Sequence, residues 1–253
     1  MRTGRLNPLS FLAVVLVFAG LFAMMRDRIP GRERTDPRCD PTVDQSCFEE
    51  SAGLLPPSPV PTQRPSLTAS TACLNVAYLC ADLATQDRIQ LRRWKNFSGT
   101  LVVHVPEPAG VDAGTANRLQ RAATAGVRLW NGQPFPIAVD ERGTRQAHVE
   151  VRWVPSLGGT RIGLARTQWS AQTGLIAVSL ELATMSPYGR GTVDPAQLRL
   201  TAAHEMGHIL GLPHSDEPRD VMYPSNTATS LSARDYRTLE ALYDMEDGIE
   251  IIR

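Results

Sequence analysis

The stretch AAHEMGHILGLPHSDEPRDVMYP, residues 202–224, places three of the chain's five histidines within eleven positions, with one glutamate among them. No other feature constrains the fold as much. His204 and His208 are four residues apart, so on a helix both imidazoles project from one face, one turn from each other. At that spacing two ring nitrogens can share one zinc ion at about 2.1 Å each. Glu205 is offset by about 100° around the same helix, beside such a metal instead of on it, within reach of a proton on bound water. Gly211 can adopt the left-handed conformation that ends a helix and turns the chain back. Pro213 stiffens the return, and His214 arrives as a third ligand. Three histidines leave the fourth position of a tetrahedral site open, which a catalytic zinc requires and a structural one does not.

The pattern around the motif predicts the elements that carry it. SGTLVVHV (Ser98 to Val105) reads as a strand ended by Pro106. Asp112 to Trp130 reads as a helix, with Leu119, Ala122, Ala123, Val127 and Trp130 at helical spacing. PIAVDE, AHVEVRWV, IGLARTQW and GLIAVSLEL follow as four strand candidates. The motif helix then has Asp194 as N-cap, Pro195 in the first turn and Gly211 at its stop. Strand, helix, four strands, helix is an α/β order: one mixed sheet with two long helices. A last helix, LSARDYRTLEALY (Leu231 to Tyr243), opens on Ser232 and Asp235 as a capping-box pair with Leu231 and Tyr236 as its staple. Tyr236, Leu239, Leu242 and Tyr243 are its expected core face.

Upstream, Arg2 and Arg5 precede an apolar run from Leu9 to Met25, the form of an export signal. At roughly 17 residues the run is also just long enough to anchor in a bilayer. Residues 1–25 are therefore expected to be a signal peptide or an N-terminal membrane anchor, and the body is expected outside the cytoplasm, secreted or tethered. All four cysteines, Cys39, Cys47, Cys73 and Cys80, follow this run and precede residue 81. An even number in an exported chain suggests two disulfides, and the short loops favour Cys39–Cys47 and Cys73–Cys80 among three connectivities. Ser51 to Ser66 carries five prolines and reads as an extended spacer. Residues 26–90 are thus expected to be a stalk or a propeptide-like extension, and residues 91–253 the domain. Within the extension, LNVAYLCADLATQDRIQLRRW has only a poor helical periodicity. The 26 basic and 26 acidic residues cancel, so no broad basic field points to nucleic acid, and the oligomeric state is left open.

HExxHxxGxxH followed by a methionine turn resembles the signature of the metzincin metalloproteases, and the details are similar to the matrixin branch. HEMGHILGLPH is followed eight residues later by Met222 within VMYPS, similar to the matrixin turn. LSARDYRTLEALY resembles the C-terminal helix of matrix metalloproteinases along its length. The resemblance covers residues from about 95 to 245. It implies a metzincin-like mixed twisted sheet with an active-site helix and a C-terminal helix after the methionine turn. It implies a zinc endopeptidase acting on protein or peptide substrates, with His204, His208 and His214 as ligands, Glu205 as general base and Met222 as the floor beneath the zinc. It also implies that Asp235 supports the methionine turn, and that Tyr223 and Pro224 belong to the wall of the specificity pocket.

The departures carry information too. The family's pocket wall runs proline, any residue, tyrosine, and here Pro224, Ser225, Asn226 stand instead. The acidic neighbour that the family has before its aspartate is Arg234 here. A second, structural zinc is not expected, because only His104 and His148 lie outside the motif. Carbonyl-rich loops can bind structural calcium, but Ser156 to Gly163 supplies no carboxylate cluster. DPRCDPTVD resembles the matrixin propeptide switch, whose cysteine thiolate occupies the open zinc position; here aspartate replaces its glycine. Diverting Cys39 to that role would strand Cys47, so the ordinary disulfide is the preferred reading, with the switch as its alternative. Substrate is expected to lie extended along an edge strand, for which Gly163, Leu164, Ala165 and Arg166 are the candidates. The alternative from another class is a catalytically inactive, zinc-containing binding or adhesion module on a membrane-tethered stalk.

Overall fold

The computed structural model describes residues 66–189, 191–225 and 227–253. The apolar segment 9–25, most of the proline-rich extension, Cys39, Cys47 and Asn226 lie outside the described residues. Among the described residues there are eight strands: β1 (Ser66–Thr68), β2 (Arg88–Gln90), β3 (Leu101–His104), β4 (Ile137–Asp140), β5 (Val149–Val154), β6 (Gly163–Ser170), β7 (Gly174–Ala183) and β8 (Glu250–Ile252). Three helices of more than one turn join them: α1 (Ala113–Val127), α2 (Pro195–Ile209) and α3 (Ala233–Asp244).

The main sheet has the order β4-β3-β5-β7-β6, with β6 antiparallel to β7 and every other pairing parallel. It is a mixed sheet, and the α/β class expected from the pattern holds. Parallel pairings demand crossovers, and α1 supplies the one between β3 and β4. In β5 buried Val149 and Val151 alternate with exposed Glu150 and Arg152, whereas Leu101, Val102 and Val103 of β3 are all buried. A hairpin turn closes β6 onto β7 and leaves β6 at the edge, with a register shift between Arg166 and Thr167.

Helix α1 starts where Asp112 caps it, its carboxylate accepting the Thr115 N–H at 3.0 Å. It gives way to a 3-10 turn at Arg128–Trp130, so the expected helix over 112–130 is present with a tighter last turn. Trp130 is fully buried and donates its indole N–H to the Ala203 carbonyl of α2 at 2.8 Å. Trp94 does the same for the Ile209 carbonyl at the other end of α2, also at 2.8 Å. Two indoles from different parts of the chain thus fix the motif helix along its axis.

Among the described residues, the segment 66–90 is not a detached extension: it belongs to the same compact unit, with Tyr78 and Leu79 buried in the main core. A small second sheet, β1-β8-β2, joins this segment to the chain's C-terminus, with β1 parallel and β2 antiparallel to β8. The boundary expected at residue 90 therefore divides a single packed unit. Residues 74–94 do not form one helix either. They form a loop closed by the Cys73–Cys80 disulfide, a 3-10 turn at Ala81–Ala84 and β2. Three-residue strands have no periodicity to read, and a disulfide loop takes its shape from the crosslink.

Close helix contact rests on Gly126 of α1. A Cβ there would overlap the Arg199 carbonyl oxygen and meet the Ala202 Cβ at 2.8 Å. Alanine in a helix interior is otherwise favoured over glycine by up to about 1 kcal/mol. The overlap is with backbone, which cannot swing away, and overpacking costs about 1–3 kcal/mol. Gly126→Ala is expected to lower the urea midpoint of unfolding; an unchanged or raised midpoint would show that the helices do not meet at this glycine.

Candidate metal centre

Helix α2 is built to present its C-terminal half to the open edge of the sheet. Asp194 accepts the N–H groups of Ala196 and Gln197 at 2.9 and 3.0 Å, with Pro195 at the first helical position where no donor is needed. At the other end, Gly211 has φ +101°, and the Leu212 N–H reaches the Gly207 carbonyl while the Gly211 N–H reaches His208, both at 3.0 Å. That paired pattern is the Schellman motif, and it turns the chain back so that Pro213 and His214 return beneath the helix.

The turn brings three imidazoles together. His208 Nε2 lies 3.1 Å from His204 Nε2 and 3.2 Å from His214 Nε2. His204 Nδ1 is 2.7 Å from the Val221 carbonyl, and His208 Nδ1 is 2.8 Å from the Leu212 carbonyl. A carbonyl only accepts, so each Nδ1 carries the hydrogen and each Nε2 turns a lone pair inward. Lone pairs cannot hydrogen-bond one another, and a cation between them satisfies all at once. Two ligands at about 2.1 Å from a tetrahedral zinc stand about 3.4 Å apart, close to the spacing found. The donor set therefore fits a metal, and among the described residues it is the cluster that could hold one. Burial pushes the pKa of His204 and His208 down, that of His208 to about 3 with help from the neighbouring His204. Both rings are thereby kept neutral, the form that binds metal.

Glu205, one residue on from His204, is buried and points to β6. Its Oε2 accepts the Ala165 N–H at 2.7 Å. Burial raises its pKa to about 7, with the Ala165 hydrogen bond and the Arg161 charge pulling the other way. A cation on the histidines would lower it further. The contact between helix and strand is possible because residue 163 is glycine: a Cβ there would overlap Thr201 and stand 2.7 Å from Glu205 Cγ. Of the expected edge-strand residues, Gly163 and Ala165 thus adjoin the site. Arg166 is turned to β7, where Glu181 takes its guanidinium at 2.6 and 3.1 Å.

Met222 is fully buried against the helix between the first two histidines, where a Cβ on Gly207 would overlap its Sδ. Its turn is held from two sides. The Met222 carbonyl accepts the Ser215 N–H at 2.8 Å, which ties it to the residue after His214. Asp235, wholly buried, accepts the N–H groups of Val221 at 3.0 Å and Met222 at 3.4 Å. The capping box is present, with Ser232 N–H on Asp235 at 2.8 Å and Asp235 N–H on Ser232 Oγ at 3.0 Å. The core face of α3 differs from the expected one at Tyr236, which is 37% exposed, whereas Asp235 and Thr238 are buried. Arg234 pairs with Asp216 and Asp220.

Cavities open on both sides of the histidines. One of about 280 Å³ is lined by His204, Glu205, Arg161, Gln197, Pro224 and Ser225. Pro224 is in this wall as expected; Tyr223 is not among its lining residues, and Tyr188, from the loop after β7, is. The other, of about 340 Å³, runs from His208 and Ala165 to Leu79, Asp82 and Gln90. The sequence reading missed these last three because it assigned them to an extension. Their only signal is the half-apolar run before residue 91. His148 lies before β5 and accepts the Val102 N–H at 3.0 Å, while His104 ends β3.

Comparison with known proteins places this arrangement in a class. Residues 135–244 match the matrixin family, a stretch that runs from just before β4 to the last residue of α3. The resemblance carried by the motif is thereby shown, and at the level of the family it supports a zinc metallopeptidase. The chain is 46% identical over 52 residues to the macrophage metalloelastases of Oryctolagus cuniculus and Rattus norvegicus, 18% of this chain and 11% of each relative. It is 41% identical over 56 residues to the 72 kDa type IV collagenase of Gallus gallus, 21% of this chain and 8% of that one. The match spans about a tenth of the length of these relatives.

Gly207→Ala places a methyl group against Met222, with Trp130 at 3.2 Å leaving little room to yield. The variant is expected to lose about 1–3 kcal/mol in urea unfolding and to retain zinc less well than the wild type. Wild-type zinc retention in this variant would show that Met222 does not brace the histidines.

Proposed function

We propose that the protein is an exported zinc-dependent endopeptidase in which His204, His208 and His214 hold one zinc ion and Glu205 is the general base. The observation that carries the reading is the convergence of three imidazole Nε2 atoms beside a buried carboxylate at the edge of a sheet. When bound, zinc lowers the pKa of the water it carries toward 7 and polarises the carbonyl under attack. Glu205 takes the proton from the attacking water and gives it to the leaving amine, a shuttle suited to a carboxylate whose pKa burial pushes up and a neighbouring cation would pull back down. The Ala165 N–H holds that carboxylate in place before the proton arrives.

Substrate specificity follows the sheet edge. The antiparallel ladder turns the backbone of Gly163 and Ala165 away from β7 and toward the cleft; the Ala165 N–H is taken by Glu205, and an extended peptide that adds to the sheet can meet the Gly163 groups and the Ala165 carbonyl. Side chains of that peptide enter the cavities on either side of the histidines. The wall formed by Pro224 and Ser225 shapes the pocket beside Glu205, and residues 79–90 shape the other. Residues 1–25 direct the chain out of the cytoplasm as a signal or an anchor, consistent with the disulfide between Cys73 and Cys80.

The test is hydrolysis of unfolded casein by the full chain and by its Glu205→Gln variant, with zinc measured in both. The variant is expected to lose about 10²–10⁴-fold in rate while keeping its zinc. Chelation should abolish wild-type hydrolysis, and added zinc should restore it. Intact hydrolysis in the variant would refute the base assignment. A wild type that binds zinc but cleaves neither casein nor short peptides would favour a binding module instead.

A further inference from the structure

The disulfide loop reaches the metal centre through an unbroken series of hydrogen bonds. Tyr78, between Cys73 and Cys80, is 1% exposed, and its hydroxyl donates to Asp235 Oδ1 at 2.8 Å. The same carboxylate accepts the Val221 N–H through Oδ2 at 3.0 Å. The carbonyl of Val221 in turn accepts the Nδ1–H of His204 at 2.7 Å. Three links therefore join a crosslinked loop to a metal ligand. We propose that Tyr78 is a positioning residue for the metal centre, and that the Cys73–Cys80 crosslink sets how tightly zinc is held through it. The inference rests on the zinc site proposed above.

The loop has the marks of a device held in one conformation. Asn75 and Ala77 have φ of +62° and +51°, a left-handed backbone that alanine rarely adopts. Such strain persists where the surroundings over-determine it. Here the crosslink lies on both sides, with Val76 and Leu79 buried in the core. The backbone N–H of Tyr78 also donates to Thr238 Oγ1 at 3.4 Å, and the Arg234 guanidinium lies 5.8 Å from the centre of the ring. Burial beside Asp235 keeps the phenol protonated, so it remains a donor.

Removing the hydroxyl leaves Asp235 Oδ1 with only the longer Met222 N–H at 3.4 Å. The carboxylate keeps the Val221 and Ser232 N–H groups on Oδ2 but loses its firm hold at Oδ1, so it can shift, and with it the Val221 peptide that orients His204. Partners in the shell behind metal ligands affect affinity by about 10–100-fold, and a group two steps further out should move it less, by about three- to tenfold.

The experiment measures zinc dissociation by chelator competition for the wild-type full chain, Tyr78→Phe and Thr124→Val. Thr124→Val deletes a buried hydroxyl that bonds Glu141 at 3.1 Å on α1, and so reports what a small loss of stability alone does to zinc affinity. Tyr78→Phe is expected to raise the zinc dissociation constant about three- to tenfold and Thr124→Val to leave it unchanged. Equal dissociation constants in the wild type and Tyr78→Phe would overturn the proposal, as would an equal rise in both variants. The double variant Cys73→Ser/Cys80→Ser gives a second reading should Tyr78→Phe fail to fold: it should weaken zinc in the same direction, and unaltered affinity there would count against the crosslink. Zinc affinity is read without any cleavage, so an inactive wild type would sink the peptidase reading and leave this one to be judged separately.

Discussion

Three imidazole Nε2 atoms at 3.1 and 3.2 Å, two of them with a lone pair turned inward, are a liability unless a cation sits among them. The chain must hold them there with rigid parts, because imidazoles left to rotate would turn to water. Much of the surrounding structure answers that need. Two of the rings are fixed by carbonyls that each accept an Nδ1–H, and both carbonyls belong to segments that follow α2. The helix sets the spacing of the first pair, while the turn at Gly211 sets the arrival of the third. A metal ligand oriented this way has one tautomer and one direction, which is the usual role of the shell behind a metal site.

Close approach is the second condition, and glycine meets it on several sides of the same helix. Gly126 lets α1 lie against α2, Gly163 lets β6 reach Thr201 and Glu205, and Gly207 admits Met222. Each contact is one that a methyl group would break. Helix α2 is thus packed from the α1 side, from the sheet edge and from beneath the histidines, with indole donors at Ala203 and Ile209. Rigidity of the site follows from this enclosure more than from helix propensity, since two of its fifteen positions are glycine or proline.

The metal-binding geometry was legible in the sequence because it is local. His204, Glu205 and His208 share one helix, and His214 follows after a turn whose chemistry is written in Gly211 and Pro213. The main strands were legible for the same reason: β5 alternates, and β6 and β7 are long enough to show their pattern. Asp112, Asp194 and the Ser232–Asp235 pair announced the helix starts. What escaped was non-local. Nothing in the spacing of α3 says that Asp235 and Thr238 face inward while Tyr236 lies at the surface, because the partner that makes burial of a carboxylate tolerable is Tyr78, 157 positions earlier. The small sheet of β1, β8 and β2 escaped for a related reason: each strand has three residues and pairs with the opposite end of the chain.

That pairing changes what the segment before residue 91 is. A proline-rich stretch followed by a disulfide reads as a spacer, yet Leu79, Ile89 and Leu91 belong to the same core as Leu198 and Met206 of the helix that carries the motif. Leu79, Asp82 and Gln90 also form part of a cavity that reaches His208, so the segment is at once a brace and a wall of the cleft. A fragment starting at residue 91 would expose those apolar contacts and strip β8 of its neighbours. It would also leave Asp235 without its Tyr78 donor, one of the four hydrogen bonds that make a wholly buried carboxylate tolerable. The functional unit is therefore set by the reach of the buried core and of one carboxylate's partners. By that measure it begins before the disulfide and not after it.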